Sequence, residues 1–147
     1  MKIAVRYQSR GNNTKVVAEA IAKAAGVTAE SVEKPLAEPV DLLFVGGGVY
    51  MGGIDPSLKT FLENLDPKLV KSAAAFTTGG GQDKTKAILS AVKSRGINAE
   101  SETLPIKLYL RNHAWLGGKG NIKLTEKQVQ SINNFVNKLI NREIKVK

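Results

Sequence analysis

The sequence has no cysteine and only one histidine. The absence of cysteine excludes disulfides, thiolate metal sites and cysteine nucleophiles together. His113 reads as a surface or structural residue, so neither a metal site nor a catalytic histidine is expected. Long apolar runs are missing too, and none approaches the length that spans a bilayer, so no membrane partner is expected. The opening MKIAVRY is a short strand rather than the apolar core of a signal peptide, which makes the cytoplasm the expected location. Acid is scarce in one half of the chain. Up to position 66 there are 7 basic and 8 acidic residues, and beyond it 15 and 5. Such asymmetry marks either a solvated basic face or an acidic partner. Nucleic acid is not expected, because there is no RNA-binding aromatic motif, zinc-finger spacing or unbroken basic run.

What is present is a globular composition, 42% hydrophobic and 24% charged over 147 residues. That length suits one domain, 1–147, with a real core. Lys2 to Tyr7 predicts a strand. Val16, Val17, Ala20, Ile21 and Ala24 then recur at helical spacing, and Gly26 ends that helix. Val27 to Val32 predicts a weaker second strand. VDLLFVGGGVY, from Val40 to Tyr50, holds a continuous apolar core, as in a strand buried on both faces. Asp55-Pro56 reads as an N-cap with proline at the first helical position, and Leu58, Phe61, Leu62 and Leu65 give that helix its inner face. SAAAFTT predicts a fourth strand. Ala87, Ile88, Ala91 and Val92 mark a helix stopped by Gly96, and Ile97 to Leu104 a fifth strand. Thr125 with Gln128 makes a capping box for a last helix whose apolar face is Val129, Ile132, Val136, Leu139 and Ile140. Strands alternating with helices predict a parallel sheet covered on both sides.

The glycines are clustered, with ten of fourteen at 46–48, 52–53, 79–81 and 117–118. The first three clusters, with Gly11, follow the predicted first, third and fourth strands. In a parallel sheet those carboxyl ends share one edge, where ligands bind. The loop after the first strand, SRGNNT, leads into a helix. Such a loop offers unpaired backbone N–H groups and the positive end of the helix dipole. Ser9, Asn12, Asn13 and Thr14 add side-chain donors, Arg10 favours an anion, and no carboxylate opposes one. The segment is built to hold a phosphate. It is not a Walker loop, since Gly118-Lys119 is followed by Gly120, and no G-x-G-x-x-G follows the first strand.

This arrangement resembles the flavodoxin family, whose first loop commonly runs Ser or Thr, any residue, then Thr-Gly-Asn-Thr. Ser9, Arg10, Gly11, Asn12, Asn13 and Thr14 occupy those positions; Gly11 and Asn12 replace the usual Thr-Gly pair. The segment GVYMGGIDPSLKTFLENL is similar to the family's ring loop, and the match covers mainly residues 1–93. The resemblance implies a flavodoxin-like three-layer α/β/α sandwich with a five-stranded parallel sheet in the order 2-1-3-4-5. It implies noncovalent FMN and one-electron transfer between redox proteins. It would place Tyr50 or Met51 against the flavin ring, a Gly52 carbonyl near ring N5, and Thr78, Gly79, Gly80 and Gly81 along the pyrimidine edge. The basic charge departs from the acidic flavodoxins and implies an acidic partner. No aromatic stands in the fourth-strand loop. Two other roles stay open: a small FMN-dependent NAD(P)H or quinone reductase, and a flavodoxin-like binding module that has lost FMN.

Overall fold

A computed structural model describes residues 1–9, 13–50, 53–79, 84–106 and 124–146. The order of elements is β1 (Ile3–Gln8), α1 (Asn13–Ala25), β2 (Ala29–Ser31), β3 (Val40–Tyr50), β4 (Gly53–Ile54), α2 (Pro56–Glu63), β5 (Val70–Thr78), α3 (Thr85–Ser94), β6 (Asn98–Ile106) and α4 (Glu126–Val146). The strands pair as β2-β1-β3-β5-β6, all parallel, while the two-residue β4 pairs antiparallel with β3. Counting the parallel strands alone, this is the expected order 2-1-3-4-5.

Side-chain alternation along β3 explains its unbroken hydrophobicity. Leu42 and Phe44 join one core layer with α1 and α4, whereas Leu43 and Val45 join another with α2 and α3. All four are fully buried. Helix ends follow the expected chemistry. Asp55 accepts a hydrogen bond from the Ser57 N–H at 2.8 Å, with Pro56 opening α2. Gly26 and Gly96 follow their helices with φ of 76° and 79°, a region that favours glycine. The capping box of α4 forms in both directions, since Thr125 N–H donates to Gln128 Oε1 and Gln128 N–H donates to Thr125 Oγ1.

Some expectations are refined. On α4 the buried face is Ile132, Phe135, Val136 and Leu139, while Val129 is exposed. At this end of the helix Thr125, Gln128 and Ser131, and not Val129, line the groove beside Leu104 and Ile106 of β6. The fifth parallel strand runs on through Pro105 to Ile106, because an edge strand needs no ladder partner on its outer side. The link from β2 to β3, residues 32–39, crosses β1 without a helix. Buried Arg6 holds that crossing down, its Nε donating to the Lys34 carbonyl at 2.9 Å. Burial lowers the guanidinium pKa and nearby Glu30 opposes that shift, yet arginine titrates so high that it stays charged.

An ion-pair group ties α4 to β6. Lys138 Nζ lies 2.8 Å from Glu102 Oε1, and Arg142 reaches both Glu102 and Glu100, at 3.9 and 3.6 Å. The hydrogen bond and charge of Lys138 hold the Glu102 carboxyl below its ordinary pKa, with Arg142 adding to the effect. A carboxylate depressed in the folded state stabilises it above the unfolded pKa and loses that contribution as pH falls through the folded one. The stability difference between wild type and Glu102→Gln, followed by urea unfolding from pH 7 to pH 3, should therefore shrink toward zero in the acid range. A difference that stays constant across that range would show that the charge of Glu102 contributes nothing.

Candidate functional site at the carboxyl edge of the sheet

The register of the sheet aligns the strand ends. Gln8 pairs with Gly47, Gly48 with Thr78, and Thr78 with Ile106, so the loops after β1, β3 and β5 leave from one edge. The N-termini of α1, α2 and α3 open at the same edge. None of these helices has an acid in its first turn, and for α1 the preceding loop carries none either, so its positive dipole end is not neutralised. Asp55 does stand there, and its carboxylate caps α2.

Of the expected site residues, Ser9 follows β1, and Asn13 and Thr14 open α1. Thr78 closes β5, and Gly79, at φ 145°, donates its N–H to the Ile106 carbonyl at 3.1 Å. Tyr50 ends β3. Arg10, Gly11, Asn12, Met51, Gly52, Gly80 and Gly81 lie outside the described residues, as does the side chain of Tyr50.

The structure brings together two of these residues that sequence treats separately. Thr14 Oγ1 and Thr78 Oγ1 are hydrogen-bonded at 2.7 Å, and both residues are buried. Sixty-four positions of sequence separate them, so no local pattern signals the pair. Gln8 is a further polar residue that the motif reading passed over. Its Oε1 is buried with no hydrogen-bond partner among the described residues. The available signal was a polar residue closing an otherwise apolar strand, directly before the donor-rich loop.

Gly46 and Gly47 owe their identity to packing. A Cβ at Gly46 would stand 2.1 Å from the Phe76 carbonyl oxygen, and one at Gly47 2.9 Å from a Leu58 methyl. They let the sheet close rather than let a ligand approach. A groove of about 520 Å³ runs elsewhere, between the 32–36 segment and α2, and contains none of the expected site residues. Among the described residues no cluster of acids and histidine could hold a metal ion, and no helix is long and apolar enough to cross a membrane.

A phosphate is an acceptor-only, multiply charged group. The donor set at this edge fits it: hydroxyls and amides beside the acid-free N-terminus of α1. The buried Gln8 oxygen, without a partner among the described residues, offers an acceptor for a ligand hydroxyl or N–H.

Solved structures of similar fold agree with this topology. A flavodiiron core from Synechocystis sp. PCC6803 has a TM-score of 0.67 at 16% identity, covering 99% of this chain and 36% of that one. The chain thus spans about a third of that protein. An NADH:FMN oxidoreductase has a TM-score of 0.58 at 15% identity, with coverage of 94% and 88%. The flavodoxin of Megasphaera elsdenii has a TM-score of 0.60 at 15% identity, with coverage of 92% and 98%. No curated protein matches the sequence. The family model for the flavodoxin domain matches residues 4–110, well over half of the length, and the chain therefore belongs to the flavodoxin domain family.

Proposed function

We propose that the chain binds FMN at the carboxyl edge of its sheet and carries single electrons between redox proteins. The observation that supports this most is the donor-rich, acid-free first turn of α1, placed beside the ends of β3 and β5. In this proposal Ser9, Arg10, Gly11, Asn12, Asn13 and Thr14 hold the phosphate. Tyr50, Met51 and Gly52 flank one side of the ring, and Gly79, Gly80 and Gly81 border its pyrimidine edge, while the hydroxyl of Thr78, which the resemblance groups with them, is taken up by Thr14. When bound, FMN supplies a centre that can take up and release electrons one at a time. The protein's own contribution is to anchor, orient and shield, and no side chain is assigned as acid, base or nucleophile.

Charge suggests the kind of partner. Lys84 directly precedes α3 and exposed Lys86 lies in its first turn, at the edge where the ring would lie. Neither is in an ion pair among the described residues. Arg111 and Lys119, basic residues of the 105–124 segment that sequence groups with these lysines, lie outside the described residues. An acidic acceptor would be steered to such a surface, with exposed charges screened over about 8–10 Å at physiological salt. In stopped-flow experiments with FMN-loaded, reduced protein, the rate with an acidic one-electron acceptor should fall roughly ten-fold between low and high salt. The Lys84→Glu, Lys86→Glu double variant should be slow even at low salt. Equal rates with acidic and basic acceptors would separate the basic charge from partner choice. Sustained NADH or NADPH oxidation by the same preparation would replace the carrier role with that of a reductase.

A further inference from the structure

We propose that Thr78 is a positioning residue for the phosphate, acting through the hydroxyl of Thr14. The inference rests on the reading that the loop after β1 holds a phosphate, and it adds a member from the far side of β3. The path between the two hydroxyls is open because of glycine. Between Phe44 and Tyr50, alternation turns Gly46 and Gly48 of β3 toward the α1 face, and Gly48 is the register partner of Thr78. At the level of Gly48, therefore, β3 places no side chain between Thr78 and the start of α1. Thr78 reaches across this gap to Thr14, the second residue of α1, at 2.7 Å.

Each hydroxyl has one proton to donate and lone pairs to accept with. Without an anion, either threonine can be the donor of the shared bond. A phosphate dianion only accepts, so a Thr14 hydroxyl that donates to it must receive the Thr78 proton on its own oxygen. The bound state is then a directed chain, in which Thr78 O–H donates to Thr14 Oγ1 and Thr14 O–H donates to the phosphate. Both threonines are nearly inaccessible, at 2% and 4% exposure, so water does not compete for the Thr14 lone pair. In such a setting a donor behind a hydroxyl strengthens the bond that hydroxyl gives. Thr78 thereby fixes the direction of the Thr14 proton without touching the ligand.

The test is a double-mutant cycle read by fluorescence titration with FMN and with riboflavin, supported by the thermal shift that inorganic phosphate gives the unliganded protein. Thr78→Val should weaken FMN roughly three- to ten-fold, the size of one net hydrogen bond, and should reduce the phosphate-induced shift. Riboflavin affinity should not change. Thr78→Ser, which keeps the hydroxyl and loses the methyl, should bind FMN like wild type, and it serves even if the valine variant folds poorly. The Thr14→Val, Thr78→Val double variant should bind no more weakly than Thr14→Val alone, because Thr78 has nothing left to orient. Wild-type FMN affinity in Thr78→Val, alongside a clear loss in Thr14→Val, would overturn the role of Thr78 and leave the phosphate loop standing. Equal losses for FMN and riboflavin in Thr78→Val would make it a ring contact instead. If neither variant alters FMN binding, the phosphate loop itself is wrong, and this proposal falls with it.

Discussion

Replacing Phe44 with alanine should lower the free energy of unfolding by about 3–5 kcal/mol, the usual cost of emptying a large aromatic from a closed core. Phe44 is fully buried in the central strand β3. It faces the layer shared by α1 and α4, and its ring meets Phe135 edge-on, with centroids 5.7 Å apart. Backbone on both sides of β3 is fixed by ladder bonds to β1 and β5, so the sheet cannot easily collapse into the space left behind. Phe135→Ala should destabilise by less than the sum when combined with Phe44→Ala, because the two share one contact. Urea unfolding with an unchanged slope checks this. A loss under about 1 kcal/mol would mean that Phe44 is not the closed core residue described.

Thr14→Val should weaken FMN roughly ten- to a hundred-fold, the range for losing one hydrogen bond to a charged group. The same substitution strands the Thr78 hydroxyl in a buried position and lowers stability as well. The comparison with riboflavin separates the two effects. Riboflavin keeps the ring and lacks the phosphate, so its binding should be weak in wild type and nearly indifferent to the variant. A parallel loss for both ligands would show that the change acts through general loosening of the edge.

Much of the architecture was legible because local pattern and fold agree. The continuous apolar core of β3 announced a strand covered on both faces, and the capping box at Thr125 and Gln128 fixed where α4 begins. What could not be read depends on non-local packing. Phe135 falls on the buried face and Val129 does not, since the docking angle of α4 on the sheet decides which side of an apolar stripe is covered. Ala87, expected in the stripe of α3, is exposed for the same reason. Arg6 interrupts β1 with a buried charge whose partner, the Lys34 carbonyl, belongs to a crossing that has no helical pattern. At the candidate site, the donors of the first loop are legible as candidates from their residue types and their place before α1. The Thr14–Thr78 bond could not, because it exists only once β3 places glycines between β1 and β5.

The most direct measurement is the visible absorption and fluorescence of the purified protein titrated with FMN. A phosphate-holding carboxyl edge predicts saturable one-to-one binding, a perturbed flavin spectrum, altered emission and colour that survives desalting. Free-flavin spectra at every ratio, with colourless protein after desalting, would contradict the account and leave a flavodoxin-like binding module without its cofactor.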